Sequence, residues 1–100
     1  MPFFTYILRC SDGSYYTGHT DDLDTRMAQH AVGEGAKYTA ERLPVQLLWF
    51  TDCQTREQAF ELEKQLQGWS RRKKETLMRG DFHLLPELSR SRGHPSTSSG

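Results

Sequence analysis

Apolar and aromatic positions at the start of the chain form two short runs separated by a turn. Residues 3–10 read Phe-Phe-Thr-Tyr-Ile-Leu-Arg-Cys and stop at Ser-Asp-Gly, and residues 15–20 read Tyr-Tyr-Thr-Gly-His-Thr. Aromatic and β-branched residues on both sides of a glycine-containing turn are typical of a β-hairpin. The pattern therefore predicts two antiparallel strands.

The length of this turn decides which tyrosines share a face of the hairpin. A three-residue turn pairs Leu8 with Tyr16 and places Tyr6 and Tyr16 on the same face. A two-residue turn places Tyr15 there instead, because a one-residue slip moves every side chain to the opposite face. Asp-Gly is the common two-residue signal, so the pattern alone allows both turns.

Helical spacing follows the hairpin. Either Asp21 or Asp22 is suited to cap a helix over about residues 22–32. Apolar residues recur through it at helical intervals, namely Leu23, Met27 and Ala31. The glycines and polar residues that follow, up to Pro44, predict a loop.

A third strand and two further helices are predicted in the second half. Val45 to Thr51 is apolar enough for a strand that is central or covered on both faces. A capping box at Thr55–Gln58 predicts a helix to about Trp69. Its apolar stripe consists of Ala59, Leu62, Leu66 and Trp69. Ser70 is suited to cap a short basic helix, residues 71–79, and Phe82 to Ser89 to add one or two helical turns.

The order β-β-α-β-α-α predicts an α+β fold in which a three-stranded sheet packs against helices. The hairpin strands must be antiparallel, whereas the third strand is free to join either edge. With 100 residues, 35% apolar and 26% charged, the chain can form one packed core but not two.

Several classes of protein are disfavoured by the sequence. No apolar run approaches the ~18 residues of a membrane span, and the N-terminal residues lack the basic flank and cleavage site of a secretory signal. Cys10 and Cys53 form neither a disulfide framework nor a zinc-binding spacing. We therefore expect a reduced, cytoplasmic domain without membrane contact.

The formal net charge of zero conceals an uneven distribution. Residues 1–63 carry five Lys/Arg against ten Asp/Glu, a balance of −5, and residues 64–100 carry eight against three, a balance of +5. Such a chain is suited to bind a polyanion with one end, although a basic run is also typical of a solvated helix face. The consecutive cations are Arg71, Arg72, Lys73 and Lys74. Three loop residues either contact a phosphate backbone or keep the loop soluble: Lys37, Tyr38 and Arg42.

Two positions of the first predicted helix carry side chains suited to phosphate and proton chemistry. Arg26 and His30 are four residues apart and share a helix face. Arginine binds phosphate bidentately and histidine transfers protons near neutral pH, but surface helices also carry such residues. The hairpin is expected to bring Tyr6, Tyr15 and Tyr16 together, an arrangement that core packing also produces.

Glu63 lies at the margin of the apolar stripe of the longer helix. A carboxylate near a core must be paired, protonated or bound to a metal. Spacing alone favours a flanking position, with the carboxylate in solvent or paired with Arg26 or Lys64.

In chain order, these residues resemble the GIY-YIG nuclease family, and most closely its small stand-alone (UPF0213-like) members. The resemblance covers residues 3 to about 84 and rests on four segments: Tyr6–Cys10, Tyr16–Gly18, Gly35–Thr39 and Trp69–Glu75. The first triplet keeps only the tyrosine of Gly-Ile-Tyr. The chain has no asparagine, which larger nucleases of the family use, and Gln67 stands where close relatives often carry lysine.

The resemblance implies a GIY-YIG-like α/β sandwich with endonuclease activity over residues 1–84, followed by a C-terminal extension and flexible tail over 85–100. The implied catalytic residues are Tyr6, Tyr16, Arg26 and His30, and Glu63 is the implied ligand of one Mg²⁺ or Mn²⁺ ion. The implied nucleic-acid-binding residues are Lys37, Tyr38, Arg42, Arg71, Arg72, Lys73 and Lys74. The expected substrate is nucleic acid, DNA first. The alternatives are a weakly catalytic or non-catalytic nucleic-acid-binding module and a domain that docks an acidic protein.

Two geometric expectations follow from the implied site. Tyr6 and Tyr16 should face the same side of the sheet, which favours the three-residue turn. The Glu63 carboxylate should point into the cleft that holds both tyrosines, with Arg26 close enough to keep it ionised.

Overall fold

The computed structural model describes residues 2–80, which form three strands and four helices. The elements are β1 (Phe3–Arg9), β2 (Tyr15–Thr20), α1 (Leu23–Ala31), α2 (Lys37–Ala40), β3 (Gln46–Cys53), α3 (Arg56–Gln67) and α4 (Arg71–Arg79). The predicted α+β class is confirmed, with α2 added inside the segment predicted as a loop. The predicted helical turns at Phe82–Ser89 and the predicted tail lie outside the described residues. The first of two compact units ends at Gly68, and the second begins at Trp69.

The sheet has the order β2-β1-β3, and both pairs of strands are antiparallel. The central strand is β1, whose residues Thr5 to Leu8 are all buried. The prediction that the third strand is central or covered on both faces is wrong, because β3 lies at an edge and leaves Phe50 half-exposed. Apolar content misled here, since an edge strand can also carry large side chains.

The hairpin turn has three residues. The Cys10 backbone N–H donates to the Ser14 carbonyl at 2.8 Å, and Leu8 is paired with Tyr16. Gly13 adopts a left-handed backbone with φ of +85°, which glycine accepts without strain. Tyr6 and Tyr16 therefore share one face, as predicted. The expected cluster of three tyrosines is wrong, because Tyr15 alternates to the opposite face.

The helix α1 begins after Asp22, whose carboxylate accepts a hydrogen bond from the Thr25 backbone N–H at 3.1 Å. Its buried residue is His30, whereas Ala31 of the predicted apolar spacing is exposed. The alternative of a surface position for His30 is therefore wrong. A polar side chain occupies this buried position because hydrogen-bonding partners surround it.

The helix α3 begins after Thr55, whose hydroxyl accepts from the Gln58 backbone N–H at 3.1 Å. In a capping box the Gln58 side chain would accept from the backbone N–H of Thr55. Here it accepts from the backbone N–H of Gln54 instead. The helix ends at Gln67, so Trp69 lies beyond it and is not part of its apolar stripe.

The two long helices of the first unit lie on opposite faces of the sheet. The Thr5 hydroxyl donates to the Ala59 carbonyl of α3 at 2.8 Å. Tyr6, the next residue of β1, points to the other face and contacts His30 of α1. The helix α1 therefore lies on the face that carries Tyr6, and α3 lies on the opposite face. No helix among residues 2–80 has the length and apolar character needed to span a bilayer.

Candidate active site

A buried tyrosine–histidine pair lies on the α1 face of the sheet. The Tyr6 hydroxyl is 2.9 Å from His30 Nε2, and the two side chains are 2% and 1% exposed. The ring of Tyr16 packs in a T-shaped contact with the same imidazole, with centroids 5.6 Å apart. The structure thus brings three of the implied catalytic residues into direct contact.

Two glycines make room for this pair. A Cβ atom at Gly18, opposite Tyr6 on β2, would lie 2.6 Å from the Tyr6 hydroxyl oxygen. A Cβ atom at Gly35 would overlap the His30 ring. A larger residue at Gly18 would therefore displace Tyr6, and one at Gly35 would displace His30.

The far side of His30 is held by α2. His30 Nδ1 lies 2.9 Å from the Thr39 hydroxyl oxygen, and that hydroxyl donates to the Ala36 carbonyl at 3.0 Å. Thr39 is fully buried. Both imidazole nitrogens therefore have a protein hydroxyl within hydrogen-bond distance.

Glu63 is held by residues of its own side of the sheet. One carboxylate oxygen lies 2.5 Å from His19 Nδ1, and the other accepts from the Gln67 side-chain amide at 2.9 Å. The expected pairing with Arg26 or Lys64 is wrong, because no such ion pair occurs within residues 2–80. His19 takes this place because strand alternation turns it toward α3.

Glu63 nevertheless acts on the tyrosines of the other face. Its charge contributes to raising the pKa of both Tyr6 and Tyr16. Since β2 is an edge strand, a carboxylate from one face and phenols from the other can approach each other around it. The Gln67 amide, 3.4 Å from the Thr17 carbonyl, ties α3 to β2. The Glu63 carboxylate thus contacts His19 and Gln67, and its charge still reaches both phenols.

Arg26 is the cation that faces the phenols. Its charge lowers the pKa of both Tyr6 and Tyr16, against the larger opposing effect of their burial. Its Nε–H is buried and has no hydrogen-bond partner within the described part of the chain. A buried donor without a partner is costly, and an anion such as phosphate would satisfy it.

Burial determines the protonation states at the centre of the site. Burial raises the pKa of the Tyr6 hydroxyl above its usual value, and the neighbouring Tyr16 raises it further. Burial, with a smaller contribution from Arg26, lowers the pKa of His30 below 6.5. Near neutral pH, Tyr6 is therefore a protonated phenol and His30 a neutral imidazole.

The three loop residues implied in nucleic-acid binding have different environments. Lys37 is a solvent-exposed cation, whereas Arg42 and Tyr38 contact each other. The Arg42 guanidinium lies 3.8 Å above the Tyr38 ring and also donates to Asp12 at 3.1 Å. The Tyr38 ring also stacks on Tyr16 with centroids 6.0 Å apart. Arg42 and Tyr38 therefore support the ring of Tyr16, a role that their polarity alone did not indicate.

The basic block lies in α4 of the second unit, and its four residues differ in environment. Arg71 donates to Glu75 at 3.1 Å, and the buried Lys73 places its ammonium 4.2 Å from the centroid of the Trp69 ring. Arg72 is exposed. Lys74 is partly buried, which lowers its pKa.

A metal ion would rely on few protein ligands here. Residues 2–80 contain no group of three or more His, Cys, Asp or Glu side chains able to hold a metal. A single carboxylate such as Glu63 fits Mg²⁺, which keeps several waters and is often completed by substrate phosphate. The donor set therefore fits a hard cation that arrives with its own oxygen ligands.

Four residues around the site were given no role there by the sequence analysis, although Gly35, Thr39 and Gln67 lie at positions compared with the family. They are His19, Gly35, Thr39 and Gln67. Alternation along β2 could have placed His19 on the face of the strand that does not carry Tyr16. Helical spacing could have placed Gln67 one turn after Glu63. No local signal pointed to the contact of Thr39 with His30, since α2 itself was not predicted.

Comparison with known proteins gives consistent matches over most of the chain. The family model for the GIY-YIG catalytic domain matches residues 2–76. A UPF0213 protein of Haloquadratum walsbyi is 46% identical over 74% of this chain and 83% of its own length. Another, from Halalkalibacterium halodurans, is 46% identical over 78% of this chain and 83% of its own length.

Solved structures agree with these matches. The solution NMR structure of the second of these relatives, UPF0213 protein BH0048 from Bacillus halodurans, has a TM-score of 0.52 at 46% identity, covering 79% of this chain and 84% of that one. The solution NMR structure of a protein from E. faecalis has a TM-score of 0.56 at 35% identity, covering 84% and 88%.

Proposed function

The chain belongs to the GIY-YIG family, with UPF0213 proteins as its relatives, and from this premise we propose that it is a divalent-metal-dependent endonuclease. It hydrolyses phosphodiester bonds in nucleic acid, with DNA as the first substrate to test. The observation that supports this most strongly is the buried contact between the Tyr6 hydroxyl and His30 Nε2, beside Tyr16. Packing of a core does not require a buried polar pair of this kind, whereas general acid–base chemistry requires a proton donor and acceptor in contact.

The proposed proton path runs from water through Tyr6 to His30. As a water oxygen attacks phosphorus, its proton moves to the Tyr6 oxygen while the Tyr6 proton moves to His30 Nε2. The phosphorus–oxygen bond to the leaving group breaks, and the leaving oxygen takes a proton from solvent. The two transfers are concerted, because burial raises the pKa of Tyr6 and disfavours a free phenolate.

Arg26 is proposed to bind the reacting phosphate. Its buried Nε–H has no partner among the described residues. A charge-assisted hydrogen bond to a phosphate oxygen would satisfy that donor and stabilise the charge that develops during attack. Burial, with a smaller contribution from Arg26, keeps His30 unprotonated before the reaction begins.

Glu63 is proposed to hold one Mg²⁺ or Mn²⁺ ion. When bound, such an ion supplies Lewis-acid stabilisation of the phosphate oxygens. Hard carboxylate oxygens suit these ions better than they suit zinc. His19 and Gln67, which now contact both oxygens of Glu63, orient the carboxylate and must share it with the ion.

The same contacts favour a second candidate, a nucleic-acid-binding module without turnover. Both carboxylate oxygens of Glu63 already have partners within the protein, so a cation must compete with them. In that case the protein binds nucleic acid through its exposed cations, such as Lys37 and Arg72, and cuts nothing.

Nicking of supercoiled plasmid DNA in Mg²⁺ or in EDTA tests the proposal. We expect cleavage only with Mg²⁺, and a loss of roughly 100-fold or more in Glu63→Gln, which keeps the shape of the side chain but removes its charge. The matched control is Glu61→Gln, an exposed position of the same helix, which should cut like the parent.

The possible outcomes separate the two candidates. Equal cleavage by the parent and Glu63→Gln, or cleavage that persists in EDTA, contradicts the metal-dependent proposal. Binding of DNA by both proteins, with no cleavage by either, identifies the binding module.

A further inference from the structure

We propose that Thr39 is a positioning residue that fixes the tautomer of His30, so that Nδ1 carries the proton and Nε2 is free to accept one from Tyr6. This inference rests on the proposed function for its catalytic meaning. Its structural content concerns one buried chain of hydrogen bonds that can be observed without metal or substrate.

The hydrogen atoms of this chain can be placed by counting donors and acceptors. The Thr39 hydroxyl has one hydrogen, and the Ala36 carbonyl, an acceptor only, lies 3.0 Å from it. If that hydrogen goes to Ala36, the contact of 2.9 Å with His30 Nδ1 requires the imidazole to donate. Nε2 then has a lone pair directed at the Tyr6 hydroxyl, 2.9 Å away.

The opposite tautomer leaves the Tyr6 hydroxyl hydrogen without an acceptor in the described part of the protein. If the Thr39 hydroxyl donated to Nδ1, Nε2–H would donate to the Tyr6 oxygen. The Tyr6 hydrogen would then have no acceptor among residues 2–80, where His30 is the hydrogen-bond partner of that hydroxyl, until a water or substrate oxygen reaches it. The Ala36 carbonyl does not distinguish the two tautomers of His30. It accepts from the Ala40 N–H at 2.9 Å in either case and so always has a donor.

The tautomer decides whether the proposed proton path exists. A neutral imidazole with its proton on Nε2 cannot accept one from Tyr6, whereas the Nδ1–H form can. The short helix α2 thus has a chemical role, because it holds a fully buried hydroxyl at the rear of the ring. Gly35 belongs to the same arrangement, since any side chain there would displace the imidazole.

Side-chain ¹⁵N NMR of the metal-free protein tests this directly. The chain has four histidines, and the signals of His30 are identified by their loss in His30→Gln. We expect His30 to show the Nδ1–H tautomer in the parent protein at neutral pH and in Thr39→Ser, which keeps the hydroxyl. In Thr39→Val, which is isosteric but lacks it, this preference should be lost.

The rate of plasmid nicking provides the functional arm. Thr39→Val should lose at least about tenfold, as expected when a general base is misoriented, and Thr39→Ser should retain most of the activity. If Thr39→Ser cuts DNA and shows the parental tautomer while a folded Thr39→Val loses both, the loss is due to the missing hydroxyl.

The outcomes distinguish this inference from the proposed function. An Nε2–H tautomer in the parent overturns the inference, even where Thr39→Val does not fold. An unchanged tautomer in Thr39→Val also overturns it. If the tautomers are as expected but no protein cuts DNA, the positioning role stands and the nuclease proposal fails.

Discussion

Tyr6 and His30 show how burial defines chemistry at the scale of single residues. Each is almost fully enclosed, so each polar atom must find a partner inside the protein. Burial shifts the two groups in opposite directions, raising the pKa of the phenol and lowering that of the imidazole. The pair is therefore held as a neutral hydrogen-bond donor and a neutral acceptor.

The lowered pKa of His30 predicts how stability depends on pH. Because burial lowers the pKa of His30, the unfolded chain binds a proton on this histidine at a higher pH than the folded protein does. The free energy of unfolding should therefore fall as the pH drops below about 6.5, by at most about 1.4 kcal/mol per pH unit for one proton.

Urea denaturation at several pH values between 7.5 and 5 measures this effect. His30→Gln is the control, because its side-chain carbonyl can accept from Tyr6 but does not titrate. The slope attributed to His30 should be absent from the variant. Identical pH dependence in both proteins would show that His30 protonates freely in the folded state.

At the scale of elements, α4 shows that adjacent cations need not share a role. Lys73 is buried with its ammonium over the Trp69 ring, and Arg71 pairs with Glu75. Arg72 is exposed, and its guanidinium has no hydrogen bond, ion pair or ring contact within residues 2–80. The basic block is therefore not a uniform charged surface, although the sequence gives all four residues the same appearance.

This difference predicts unequal effects on nucleic-acid binding. Arg72→Ala should weaken binding and reduce the slope of log K against log salt by about 0.9, the value for one phosphate contact on duplex DNA. Lys73→Met, the matched variant at the adjacent position, should leave the slope unchanged. Fluorescence anisotropy with labelled duplex DNA at several salt concentrations measures both. Equal slopes for Arg72→Ala and the parent would leave Arg72 without a phosphate contact.

At the scale of the whole molecule, the sequence predicted most of the architecture but less of the site. The hairpin and the start of α3 follow from local patterns that the structure confirms. The edge position of β3 and the helix α2 depend on contacts between distant residues, which no local pattern encodes. Likewise, Glu63 was identified through the resemblance, whereas its partner His19 depends on how α3 meets β2.

The central claim is that the Tyr6 hydroxyl takes part in phosphodiester hydrolysis, and Tyr6→Phe removes that one oxygen atom. The direct measurement is the rate of plasmid nicking with protein in excess and Mg²⁺ present, with Tyr15→Phe on the opposite face of the sheet as control. We expect Tyr6→Phe to lose roughly 100-fold or more while it still folds and binds DNA, and Tyr15→Phe to cut like the parent. If Tyr6→Phe nicks DNA at the parental rate, Tyr6 is a packing residue and the proposed proton path does not exist.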